Sequence, residues 1–162
     1  MKVQDVMTSV VRSCQSSDRA HIAAQIMWEA DCGCVPVVDA AAHVMGMVTD
    51  RDLAMAAFTQ GRRLDEIPVA TVMTKKVQVV SPKDDLASAQ QLMQTAAVRR
   101  LPVVEDGRLV GILSINDLTR VAAQPASKKA KDLSAEDVTA TLAAIGQPRQ
   151  ATKKAAKKVA KP

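Results

Sequence analysis

The sequence predicts an α/β (α+β) fold made of two β-α-β-β-α units related by a pseudo-twofold axis, followed by a C-terminal helix and a basic disordered tail. Three observations predict it. The first 123 residues repeat themselves at a spacing of about 66. Each copy carries the same succession of strand and helix signals. The composition then changes abruptly after Ala123.

The repeat is read residue by residue. Val6-Met7-Thr8 recurs as Val72-Met73-Thr74, Asp18 as Asp84, Met27 as Met93, and Pro36-Val37-Val38 as Pro102-Val103-Val104. Beyond that point the offset is 65: Gly46 matches Gly111, and Asp52-Leu53 matches Asp117-Leu118. The expected domains are therefore residues 1–62, residues 63–123, and an extension over 124–162. A three-stranded unit is marginal alone, so two copies packing their sheets together are expected, with clefts between them.

Within a copy, a short apolar piece ends in Met-Thr (residues 3–8 and 69–74), and a β-leaning stretch follows at Val10-Val11 and at 77–80. Ser17-Asp18 and Pro82-Lys83-Asp84 are helix-start signals. Behind them Ala23, Ile26, Met27 and Ala30, and in the second copy Leu86, Ala89, Leu92, Met93 and Ala96, fall at helical spacing. Two apolar runs come next in each copy, and Asp106-Gly107 between the second pair is a hairpin turn. A last helix begins at Thr49 or Ser114. In the extension, Ser134 starts a helix whose apolar stripe is Val138, Leu142 and Ile145, stopped by Gly146 and Pro148 and expected to dock on the body.

Composition excludes several function classes. Aromatic residues are limited to Trp28 and Phe58, which speaks against stacking of bases. No apolar stretch approaches a membrane span, and Met1–Asp5 lacks a signal-peptide core, so a cytoplasmic protein without membrane contact is expected. The three cysteines, Cys14, Cys32 and Cys34, read as reduced structural thiols rather than a metal site, because a zinc site needs four well-spaced ligands. No nucleophile, histidine and acid form an arrangement that the sequence can place, so the chain is not expected to be an enzyme.

Charge is segregated. Residues 1–123 carry 13 Lys and Arg against 14 Asp and Glu, whereas residues 124–162 carry 9 against 3. Lys153, Lys154, Lys157, Lys158 and Lys161 lie in a Lys/Ala tail similar to those of linker-histone-like nucleoid proteins. Such lysines contact phosphates without reading bases, so nucleic acid or an acidic protein is a candidate partner; the alternative is a solvated tail without one.

The informative motif is the start of each last helix, Thr49-Asp50-Arg51-Asp52 and Ser114-Ile115-Asn116-Asp117. A hydroxyl three residues before an acid is a capping box, which only stabilises the helix. The same pair also suits a nucleoside phosphate: the helix N-terminus and hydroxyl meet phosphate, and the acid meets two ribose hydroxyls.

With Asp5-Val6-Met7-Thr8, Gly33–Asp39, Gly46–Leu53, Thr71–Thr74, Val98–Val104 and Gly111–Leu118 in order and in duplicate, residues 1–121 resemble a tandem pair of cystathionine-β-synthase-type (CBS) domains, a Bateman module. The resemblance implies a non-catalytic regulatory module that binds an adenosine-containing nucleotide (AMP, ADP, ATP or S-adenosylmethionine), needs no cofactor, signals to a partner and forms a homodimer. It places the ligand against Thr49, Asp52, Ser114 and Asp117. Cys34, Val35, Arg100 and Leu101 would line the base pocket, with Val10 and Val77 further along the cleft. Arg99-Arg100 would favour a polyphosphate if turned inward; the alternative is that both face solvent. The competing function is a nucleic-acid-associated protein that uses the tail, with the repeat as a dimerising body.

Overall fold

The computed structural model describes residues 1–123 and 133–147; the Lys/Ala tail and its five candidate lysines lie outside the described residues. The first copy contains β1 (Cys14–Gln15), α1 (Ala20–Glu29), β2 (Cys34–Val38), β3 (Val44–Thr49) and α2 (Asp50–Gln60). The second contains α3 (Val69–Val72), α4 (Leu86–Ala96), β4 (Arg100–Glu105), β5 (Arg108–Ser114) and α5 (Ile115–Ala122), followed by α6 (Ala135–Ile145).

The two sheets obey the repeat down to single pairs. β1 runs parallel to β2 with Cys14 opposite Val37, and β2 pairs antiparallel with β3. In the second copy β4 pairs antiparallel with β5, and Val80 makes one parallel bridge to Val103, the residues equivalent to Cys14 and Val37. Both hairpins carry an irregularity at the same place, between Val37 and Val38 and between Val103 and Val104. Asp106 and Gly107 both take positive φ in the two-residue turn, as the dipeptide requires.

The first strand of the first copy is displaced from its expected place, and in the second copy only the last residue of the expected stretch 77–80 pairs. Pairing begins at Cys14 and Val80, not at Val10 or Val77, because Val10 is 88% exposed and the β-leaning residues before the pairing point have no ladder to join. Alternating valines satisfied the strand pattern without a partner strand.

The leading segments of the two copies are exchanged. Residues 1–8 lie on the second copy: the Val3 N–H donates to Asp84 O (3.0 Å), and Thr8 and Ile112 exchange backbone hydrogen bonds of 3.0 and 2.9 Å. Residues 69–74 lie on the first copy: the Val69 N–H donates to Asp18 O (2.9 Å), and Met47 and Thr74 exchange bonds of 3.0 and 2.9 Å. The cores follow this exchange. Val3 is buried with Leu86, Met93, Leu101, Leu113 and Leu118, whereas Ile67 and Val69 are buried with Ala23, Val35, Val37, Val48 and Leu53. The repeated glycines are needed where the exchanged segment crosses a strand. A Cβ on Gly46 would meet Thr74 O at 2.9 Å, and one on Gly111 would meet Met7 Sδ at 2.7 Å.

Helix α6 docks on the second copy, across α4 and α5. Ser134 caps it by accepting from the Asp137 N–H at 3.1 Å. Its buried face differs from the expected stripe: Val138 and Thr141 are buried while Leu142 is 46% exposed. Thr141 Oγ1 accepts hydrogen bonds from Gln90 Nε2 and Gln94 Nε2, both at 2.8 Å, so a polar residue fills the interior place.

Candidate functional site

A cleft of about 370 Å³ opens between the copies. The first copy contributes Thr8, Val10, Val11 and Arg12 from its leading segment, with Ile26, the stretch from Ala30 to Cys34, and Pro36. The second copy contributes Arg100, Ile112, Ser114, Asn116, Asp117 and Arg120. The helix start of one copy thus faces the leading segment of the other.

The α5 N-terminus is built by a capping box. Ser114 Oγ donates to Asp117 Oδ2 at 2.6 Å, the Ser114 N–H donates to the same oxygen at 2.7 Å, and the Asp117 N–H donates back to Ser114 Oγ at 3.3 Å. Thr49 and Asp52 make the same box at the start of α2, with bonds of 2.7, 2.9 and 3.2 Å. The capping reading of the motif is therefore realised in both copies.

The two boxes differ in their surroundings. Asp117 is 3% exposed, and its second oxygen, Oδ1, is paired with Arg120 Nη2. Asp52 is half-buried, and the residue equivalent to Arg120 is Met55.

Three arginines reach the cleft, against the carboxylates of Asp31 and Asp117. Arg12 Nη1 bonds Glu29 Oε2 at 2.6 Å. Arg100 is half-buried beside Gly33, where an added Cβ would lie 3.5 Å from its Nη2 and 3.0 Å from Asp50 Oδ2; Arg99 is exposed. Burial pushes the Cys34 thiol up to about 11 in spite of Arg100 nearby, so Cys34 meets the cleft as a neutral group at pH 7.

Of the residues singled out from sequence, the cleft brings together Val10, Cys34, Arg100, Ser114 and Asp117. Val35 and Leu101 are fully buried in the two cores and present no surface. Thr49, Asp52 and Val77 lie outside this cleft. Arg12, Asn116, Arg120 and the Asp31–Gly33 turn were not anticipated. For Arg120 a signal was present, since it follows Asp117 by three residues on one helix.

A family model described as "CBS domain" matches residues 3–58 and 69–124. The chain is 37% identical over 116 residues to CBS domain-containing protein YhcV of Bacillus subtilis, covering 72% of this chain and 81% of that one. It superimposes with a TM-score of 0.75 on the CBS domain protein TA0289 of Thermoplasma acidophilum, at 24% identity, covering 95% of this chain and 82% of that one. It also superimposes, with a TM-score of 0.68 and 24% identity, on the CBS domain pair of protein MJ0100, covering 75% of this chain and 94% of that one. The MJ0100 crystal structure is a complex with 5′-methylthioadenosine and S-adenosyl-L-methionine.

Proposed function

Because this chain belongs to the CBS domain family, with two copies in tandem, we propose that it is a non-catalytic regulatory module that binds an adenosine-containing nucleotide between its copies and signals to a partner. The observation that carries this reading is the cleft itself, in which Ser114, Asp117 and three arginines from both copies meet in about 370 Å³. A phosphate suits the α5 N-terminus and the Ser114 hydroxyl, and a ribose diol suits the Asp117 carboxylate. Arg100 and Cys34, equivalent residues of the two copies, then stand beside the base. The adenosine ligands of MJ0100 support the ligand class. Thr49 and Asp52, with Val77, serve a second cleft related by the repeat. The functional form is a homodimer with no cofactor requirement, and its layout is residues 1–62, residues 63–123 and the extension.

The test is a thermal shift and calorimetric titration of the full chain with AMP, ADP, ATP and S-adenosylmethionine. A ligand that binds the native state raises the melting temperature by mass action. The expected result is a shift for at least one of the four that is lost in an Asp52→Ala, Asp117→Ala double variant. No shift at millimolar concentration of any of them overturns the reading.

A further inference from the structure

Asp117 lines the cleft, yet both of its carboxylate oxygens are already engaged. Oδ2 accepts from the Ser114 N–H at 2.7 Å and from Ser114 Oγ at 2.6 Å, and Oδ1 is paired with Arg120 Nη2. The Asp117 side chain is 2% exposed, whereas that of Arg120 is 69% exposed. A ribose diol therefore reaches Oδ1 only after the guanidinium has moved off it. That movement costs little packing, because Arg120 stands largely in solvent. It does leave a buried carboxylate without its counter-charge.

The start of α5 holds a phosphate with less than its full set of donors. The Ile115 N–H donates to Arg99 O at 2.9 Å and the Asp117 N–H to Ser114 Oγ at 3.3 Å, so two of the first three amides of the helix are used. Arg12 is engaged as well: it bonds one Glu29 oxygen at 2.6 Å, and Gln25 Nε2 bonds the other at 2.6 Å. Arg120, once displaced, is a cation in the same cleft and on the same helix.

The repeat supplies an internal comparison. In the first copy Asp52 Oδ2 takes the same two bonds from Thr49, at 2.9 and 2.7 Å. The residue equivalent to Arg120 is Met55, which cannot pair with the other oxygen, and Asp52 is half-buried rather than closed off.

We infer that Arg120 is the specificity-determining residue of the cleft: it closes Asp117 to uncharged adenosine compounds and moves onto the phosphate of a ligand that carries one. The inference rests on the reading of this cleft as an adenosine site, and it names the class taken there, a nucleoside bearing a 5′-phosphate. For an uncharged nucleoside the exchange replaces a charge-assisted pair by hydrogen bonds from neutral donors, which are about half as strong. For a nucleotide the guanidinium passes from carboxylate to phosphate, and the ribose hydroxyls take its place on Oδ1. The arginine then keeps an anionic partner and the buried oxygen keeps a donor. Asp52, with Met55 beside it, makes no such distinction.

The test is calorimetric titration of the full chain with adenosine, ADP and S-adenosylmethionine. Every protein carries Asp52→Ala, so that the Asp117 cleft is read alone, and circular dichroism checks folding. With Arg120 in place, ADP is expected to bind at least about tenfold tighter than adenosine. Arg120→Met, the residue found at this place in the other copy, is expected to tighten adenosine and weaken ADP, so that their ratio falls at least about tenfold. Arg120→Lys keeps a cation and is expected to keep ADP as the tighter ligand. A merely structural arginine moves both ligands together. Equal changes for adenosine and ADP in Arg120→Met overturn the inference, as does adenosine binding as tightly as ADP before that substitution. Binding of S-adenosylmethionine alone overturns the inference and leaves the adenosine site standing. No binding of any of the three at millimolar concentration overturns the reading of the cleft and the inference with it.

Discussion

The guanidinium of Arg120 is paired with the carboxylate of Asp117 one turn earlier on α5, and Asp117 is almost fully buried there. At the equivalent place on α2, Met55 stands one turn after Asp52 and offers no such partner. The two halves of the repeat therefore carry the same capping box in different electrostatic settings. Ser114 holds one Asp117 oxygen and Arg120 the other.

This asymmetry predicts unequal effects of the same substitution. Asp117→Asn removes the acceptor of a charge-assisted pair in a buried site and weakens the cap, at a cost of about 1–3 kcal/mol. Asp52→Asn, half-buried and without an arginine, costs only the cap, about 1 kcal/mol. Arg120→Ala, whose side chain is 69% exposed, costs about 1 kcal/mol after screening. Chemical denaturation of the three variants checks the order. Arg120→Ala is also expected to weaken phosphate-bearing nucleotides more than S-adenosylmethionine, which calorimetry reads directly.

The strand glycines predict a second asymmetry. A Cβ at either glycine meets a flexible methionine sulfur, Met73 Sδ at 2.9 Å or Met7 Sδ at 2.7 Å, but the backbone oxygen behind it is closer at Gly46 (Thr74 O, 2.9 Å) than at Gly111 (Thr8 O, 3.1 Å). Overpacking that a side chain relieves is cheaper than overpacking against backbone. Gly46→Ala is expected to destabilise by about 2–3 kcal/mol and Gly111→Ala by about 1 kcal/mol. Equal losses, measured by urea denaturation, would contradict this account of the exchanged segments.

Two buried thiols set an alkaline limit. Burial pushes Cys14 and Cys34 up to about 11 from an ordinary value of 9. A raised folded pKa means that the folded state favours the neutral thiol. The stabilisation is then complete below pH 9 and is lost as pH rises towards 11. The melting temperature is expected to fall across that window, and the fall is expected to flatten in a Cys14→Ala, Cys34→Ala double variant relative to its own value at pH 8. Native alkylation at pH 8 is expected at Cys32, the half-buried thiol, before the other two.

Much of the local structure was legible in the residues. Ser134 with Asp137 announced α6, Asp106-Gly107 announced the β4–β5 turn, and the repeated Ser/Thr-x-x-Asp announced both capped helices. These are short-range rules in which the partners lie within a few residues of each other. The strand expected at Val10-Val11, and the stretch 77–80 of which only Val80 pairs, show the limit. Alternation reports that a strand is possible, while a strand also needs a neighbour.

By itself, the sequence determined that there are two like units, where their helices start, and that the charge belongs to the extension. Only the tertiary structure decided which piece of one copy lies on the other. An internal repeat presents two equivalent partners for every segment, so periodicity cannot tell whether Thr8 pairs within its own copy or with Ile112 in the other. The same degeneracy hid which residues share the cleft, since Val10 and Ser114 meet only through that exchange. Burial was decided at the same level. Thr141 is inside because Gln90 and Gln94 satisfy its hydroxyl, whereas Trp28, at the helix position equivalent to Gln94, is 88% exposed.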